Sequence, residues 1–166
     1  LSIRRQRQMC IRDSVYTARH DKDTSAIDAT NPNTAPTRRV ELDELLRTSD
    51  VVSVHCPLTE QTRHIIDAEA LVAMKSTAYL VNTARGACVD EKALVTALRN
   101  GEIAGAGLDV YENEPDIEPE LYDMDNVVLL PHIGSAARRT REKMTELAAR
   151  NIAAVLGGKD ALTPVG

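Results

Sequence analysis

The stretch Gly105–Ser135 reads GAGLDVYENEPDIEPELYDMDNVVLLPHIGS, and its reading decides the fold. Gly105 to Val110 and Val127 to Leu130 are short apolar runs, bounded by glycine, proline and acidic turn residues. Such runs suit strands buried in a parallel sheet. Each ends in polar chemistry. Asp109 lies inside the end of the first, Glu114 just beyond it, and His132 follows the second, after Pro131. Ligands of open α/β sheets bind outside the carboxyl ends of the strands. One sheet edge therefore collects two acids and a histidine. A lone histidine after a strand is more often structural than functional, and a lone loop acid is usually solvated. Convergence at several strand ends is what favours function.

Working outward, the same alternation of strand and helix repeats. Val15 to Arg19 reads as a short strand, and His20 to Pro36, rich in Asp, Thr, Asn and Pro, as a loop or frayed helix. Glu41 to Arg47 carries Leu42, Leu45 and Leu46 at helical spacing. Asp50 to Cys56 is a β-branched run stopped by Pro57, hence a buried strand. Leu58 to Thr62 is a polar connection, and Asp67 can cap a helix running to Met74. Ala78 to Thr83 is the next strand, and Ala84-Arg85-Gly86 turns away from it. Asp90 can cap a helix to Asn100, with Gly101 beyond its end. A last helix spans about Thr140 to Leu156, lined by Met144, Leu147, Ala148, Ile152 and Val155. The order predicts an α/β fold, a doubly wound parallel sheet with helices on both faces.

The 166 residues suffice for one domain with a core, and 43% hydrophobic content excludes wholesale disorder. With no Trp and no Phe, that core must be aliphatic. A net charge of −5 implies no general attraction to nucleic acid or anionic membrane. Cys10, Cys56 and Cys88 are odd in number and widely spaced, which argues against a disulfide framework or zinc site and suits a reducing cytoplasm. No apolar run approaches the ~20 residues of a membrane helix.

Arg85 follows a strand directly and has small neighbours, which leave its guanidinium free to reach a ligand. A guanidinium can grip a carboxylate with two parallel hydrogen bonds. For a single arginine an exposed ion pair is the plainer reading. His132 can give or take a proton near neutral pH, and Glu114 can hold its ring. Together the three suit hydride transfer to a 2-keto acid: Arg85 anchors the carboxylate, His132 protonates the developing alkoxide, and a nicotinamide supplies the hydride. The reaction calls for no metal.

Four blocks carry a resemblance: HCPLTEQT (His55–Thr62), VNTARGACVDEKAL (Val81–Leu94), GLDVYENEP (Gly107–Pro115) and NVVLLPHIGS (Asn126–Ser135). In content, order and spacing the chain from about Val15 to Val165 resembles the D-2-hydroxyacid dehydrogenase family, most closely its glyoxylate and hydroxypyruvate reductases. The resemblance implies a Rossmann-like sheet. It makes Arg85 the substrate-carboxylate arginine, Glu114 the acid paired to the catalytic histidine, and His132 the proton donor. It also implies that Asp109 binds the nicotinamide carboxamide, that Thr83, Ala84 and Gly134 offer contacts near the ring, and that Cys56, Pro57 and Thr62 line the adenosine and phosphate side. Cys56 is otherwise a small packing residue, and Cys88 has no motif role. A homodimer is implied for the full-length protein. A different class, a nicotinamide-sensing module like the family's corepressor relatives, would keep the same residues without turnover.

Cofactor choice is argued from Tyr16-Thr17-Ala18-Arg19-His20. An NAD enzyme of this fold places an acid near this strand end for the ribose 2′-hydroxyl. Here Ala18 stands in its place, Arg19 follows and Lys22 is near, which favours the 2′-phosphate of NADP(H) over NAD(H). Asp21 and Asp23 act against that preference. The family's glycine-rich turn, whose backbone cradles the pyrophosphate, has no match, and neither has its substrate domain. In their place stands LSIRRQRQMCIRDS (Leu1–Ser14), with four arginines, read as foreign to the domain or as a basic arm. Residues 15–166 are then expected to be a partial dinucleotide-binding domain, open at its N-terminal sheet edge, that keeps the catalytic residues but has little or no activity alone.

Overall fold

The computed structural model of the chain describes residues 14–30 and 36–164. The expectation for Leu1–Ser14 lies, Ser14 apart, outside the described residues. The order is β1 (Val15–Tyr16), α1 (Ser25–Thr30), β2 (Arg38–Arg39), α2 (Leu42–Thr48), β3 (Val51–Val54), α3 (Ala68–Ala73), β4 (Tyr79–Asn82), α4 (Glu91–Asn100), β5 (Gly105–Leu108), β6 (Val127–Leu129) and α5 (Arg138–Leu156). Single turns of 3-10 helix occupy Gly86–Cys88 and Pro119–Asp123.

β3, β4, β5 and β6 form a parallel sheet in that order, and β1 pairs with β2 in a parallel two-stranded sheet. Parallel strands need crossover connections, here α3 and α4. The strand period of two sends Val52, Val54, Leu80, Asn82, Ala106 and Leu108 to the buried face. Leu46, Leu71, Met74, Leu94, Val95 and Leu98 pack against them from α2, the α3 region and α4. Burying each such leucine contributes ~1.5–3 kcal/mol relative to exposure. The opposite face presents Val51, Tyr79 and Val128, all more than half exposed.

The helix ends follow the sequence reading. The Asp67 carboxylate accepts from the Ala70 N–H and that of Asp90 from the Ala93 N–H, satisfying amides that have no partner within the helix. Gly101 (φ 69°) closes α4. β3 and β4 contract at both ends, and β1, β5 and β6 at the carboxyl end alone, because ladder pairing stops before the runs do. α5 begins at Arg138, two residues ahead of expectation, and none of its residues is buried. Met144, Leu147, Ile152 and Val155 are exposed along it. Among the described residues no helix is long and apolar enough to cross a membrane.

Candidate active site

Within each sheet the strands are parallel, so their carboxyl ends lie on one side, and nearly every residue singled out in the sequence follows one of those ends. Arg19 follows β1. Cys56, Pro57 and Thr62 follow β3. Thr83, Ala84 and Arg85 follow β4; Asp109 and Glu114 follow β5; His132 and Gly134 follow β6.

His132 and Glu114 meet. His132 Nδ1 is 2.7 Å from Glu114 Oε2. The second oxygen of Glu114 accepts the Tyr111 N–H at 3.0 Å. The bond to His132, then that from Tyr111, holds the Glu114 carboxyl below the usual glutamate range. An ionised carboxylate only accepts, so Nδ1 carries the proton and Nε2 is left for other work. Among the described residues Nε2 has no hydrogen-bond partner. His132 also has φ 52°, a left-handed conformation that non-glycine residues seldom adopt. Such strain collects at functional sites. The pair is half in water, so it contributes little stability, and its consequence is the orientation of the ring.

Asp109 accounts for the loop beyond His132. It is buried, and its two oxygens accept the N–H groups of Ile133 at 2.8 Å and Gly134 at 2.6 Å. A Cβ at Gly134 would stand 2.8 Å from the Asp109 carboxylate, so glycine is what lets the backbone approach. The reading from resemblance gave Asp109 to the nicotinamide carboxamide; in the structure both oxygens brace the His132 loop.

Arg85 is exposed at the end of β4, with Nη1 donating to the Ala84 carbonyl at 2.7 Å. Asn82, which sequence reasoning missed, and Gly86, read there only as a small turn residue, build its turn. The buried Asn82 side chain donates to the Arg85 carbonyl at 2.9 Å and accepts from the Ala84 N–H at 3.1 Å. Gly86 lies against Tyr111, where a Cβ would fall 1.8 Å from the Tyr111 carbonyl carbon. The arginine turn is thus seated on the segment that carries Glu114. A polar residue closing an otherwise apolar buried strand was the available signal for Asn82.

The remaining residues divide. The Thr62 hydroxyl donates to the Pro57 carbonyl at 2.6 Å and accepts the Thr59 N–H at 2.8 Å, closing the loop after β3 on itself. Cys56 is half-buried, with Sγ 3.9 Å from the buried Cys88 Sγ. Burial and the neighbouring thiol push Cys88 up to about 11. Pro57 and Thr83 are exposed and Ala84 is half-buried. Arg19 donates to Gln61 Oε1 at 3.1 Å, and its carbonyl accepts from Arg39 Nη2 at 3.3 Å. Arg39, on β2, is a second cation here that sequence reasoning did not assign. Asp21 pairs with Arg39 at 3.7 Å, and Asp23 accepts the Ser25 N–H at the start of α1. A cavity of about 460 Å³ lies under the loop after β5, lined by Glu91, Asn113, Asp116, Ile117 and Tyr122 among others, but not by Arg85 or His132.

Comparison with known proteins identifies the family and the fold. The model of the D-isomer specific 2-hydroxyacid dehydrogenase NAD binding domain matches residues 13–134. A glyoxylate reductase of Thermofilum pendens is 58% identical over 121 residues, 72% of this chain and 35% of that protein. A glyoxylate/hydroxypyruvate reductase A of Arabidopsis thaliana is 48% identical over 122 residues, 74% of this chain and 39% of that protein. Among solved structures, the NADPH-dependent glyoxylate/hydroxypyruvate reductase of Sinorhizobium meliloti, in complex with NADP and malonate, superposes with a TM-score of 0.83 at 37% identity. That match covers 98% of this chain and 48% of the other. The chain therefore spans between about a third and a half of the length of these relatives.

Proposed function

We infer the function from one premise: the chain belongs to the D-isomer specific 2-hydroxyacid dehydrogenase family. The whole protein interconverts a small 2-keto acid and its D-2-hydroxy acid, of the glyoxylate or hydroxypyruvate type. The observation that carries this reading is the 2.7 Å contact of His132 Nδ1 with Glu114, which leaves Nε2 without a partner among the described residues, at the sheet edge where the turn after β4 exposes Arg85.

The donor set suits the nicotinamide end of a dinucleotide. An exposed guanidinium and the open backbone at Thr83–Ala84 follow β4, and an exposed imidazole follows β6, on the other side of β5 in the same sheet. The nicotinamide, when bound, supplies the hydride. Arg85 grips the substrate carboxylate, with two N–H groups matching its two oxygens. His132 delivers a proton from Nε2 to the carbonyl oxygen as negative charge develops there. Glu114 fixes the ring and stabilises the imidazolium. Asp109 holds Ile133 and Gly134 so that the loop carrying His132 keeps its shape.

NADP(H) is the preferred cofactor. Supporting this, Arg39 on β2 donates to the carbonyl of Arg19 beyond β1, which brings two cations together, and Asp23 is engaged with Ser25; Asp21, paired with Arg39, offsets one of the two charges. A reducing compartment, the cytoplasm, suits two thiols that stand 3.9 Å apart unbonded. The full-length protein works as a homodimer.

Grafting residues 13–134 into the matching region of the Thermofilum pendens enzyme, then following NADPH absorbance with glyoxylate or hydroxypyruvate, tests the reading. Turnover is expected, with a lower KM for NADPH than for NADH, and a His132→Gln graft should lose it. A graft that turns over equally well with glutamine at position 132 overturns the assigned reaction.

A further inference from the structure

The segment Tyr111–Pro115 carries a second histidine–carboxylate pair that the proposed reaction leaves unused. His64 Nε2 lies 2.7 Å from Glu112 Oε1, and Arg63 Nη2 donates to the same oxygen at 2.9 Å. The Glu112 side chain is only 16% exposed, so water screens these contacts less than those at His132. The Glu112 N–H donates to Glu91 Oε1, on a carboxylate buried at the start of α4. The Glu118 N–H reaches the other Glu91 oxygen at 3.4 Å.

His64 is fixed through its backbone as well. It has φ 50°, and its N–H donates to the Ala87 carbonyl at 2.9 Å. A histidine keeps a left-handed conformation only where its surroundings impose it. His64 Nδ1 faces Asp90 Oδ2 at 4.0 Å. The imidazole is thus flanked by an acid on each side, with Arg63 next to it in the chain. The cluster joins the loop after β3, the turn that follows Arg85, and the segment bearing Glu114. Glu112 stands two residues before Glu114, and its neighbour Tyr111 supplies the N–H that holds the Glu114 carboxylate.

We propose that His64 and Glu112 are positioning residues: they clamp the Tyr111–Pro115 segment to the loop after β3 and so set Glu114 where it meets His132. The role deepens the reading of His132 and Glu114 as the working pair, and it rests on that reading. Glu112 touches no reacting atom. It acts through the backbone, which converts a displaced segment into a displaced carboxylate.

The test uses the 166-residue chain itself. Carbon-detected NMR follows the Glu114 side-chain carboxyl with pH, and nitrogen shifts report the His132 tautomer. In the unchanged chain Glu114 titrates below an ordinary glutamate and His132 carries its proton on Nδ1. A Glu114 that titrates normally there would sink the pairing with His132, and the functional reading with it. With that pairing in place, Glu112→Gln and His64→Asn should each shift the Glu114 titration upward, towards that of an ordinary glutamate, as its bond to His132 loosens, and move His132 towards a mixture of tautomers. Asparagine tolerates the left-handed backbone at position 64 and guards against loss of fold in the glutamine variant. If Glu114 and the His132 tautomer stay put in both variants, even with reduced stability, the clamp is refuted while the proposed reaction stands.

Discussion

Two histidines of this chain have left-handed backbones, and each meets a glutamate of the same five-residue segment at 2.7 Å. Their settings differ. His132 and Glu114 are 52% and 36% exposed, His64 and Glu112 33% and 16%. Glu114 accepts from one imidazole and one backbone amide, whereas Glu112 accepts from an imidazole and a guanidinium. His132 keeps Nε2 unpartnered among the described residues, while both nitrogens of His64 face acids. The chemistry of the pair is constant and its surroundings decide the use. A free nitrogen open to solvent can pass a proton on, and an imidazole enclosed between carboxylates holds chain segments together.

The largest effect that could break this comparison is catalytic. In the grafted enzyme His132→Gln should lower kcat by about 10²–10⁴-fold, the usual contribution of a positioned general acid, whereas His64→Asn should cost about tenfold or less. Steady-state kinetics on both would decide, and equal losses would erase the distinction. Next comes Gly86→Ala, which drives a methyl group into the Tyr111 backbone beneath both glutamates. Urea unfolding should show a loss of ~3 kcal/mol, and Glu114 should titrate closer to an ordinary glutamate.

The third effect sharpens the electrostatic side. Glu114 has a lowered folded-state pKa, so its contribution to stability is present above the ordinary value of 4.5 and disappears as pH falls through the lower folded-state value. Solvent exposure limits it to about 1 kcal/mol or less. Unfolding of the wild type and Glu114→Gln at pH 7 and near pH 3 should show a gap that closes in acid; a gap that widens would reverse the sign. The smallest effect is Asp90→Asn. Asparagine caps a helix about as well as aspartate, so only the charge facing His64 goes. Stability should change by no more than ~0.5 kcal/mol, with the Glu114 titration unmoved.

The four-stranded sheet was legible because buried parallel strands are written as unbroken apolar runs, and Asp67 and Asp90 announced their helices by type and position. β2 was not legible. Its two residues are arginines, and it pairs with β1 through backbone alone. α1 lay in a polar stretch open to either reading. In the candidate site, Arg85, Glu114 and His132 could be singled out because each follows a strand end, and the structure brings the last two together. Glu112 and His64 could not be, because a contact across 48 residues leaves no local pattern. Asp109 was singled out for a ligand contact, and its two backbone partners were not foreseen. Its oxygens meet amides 24 and 25 residues later, and a loop's return path is a property of the folded chain.

The left-handed backbone at His132 also narrows the futures open to this lineage. Glycine, asparagine and aspartate enter that conformation with least cost, and β-branched side chains hardly at all. A replacement at position 132 that keeps the loop is therefore easiest as one of those three. Valine or isoleucine at position 132, beside an intact Asp109, would mark a loop rebuilt from scratch.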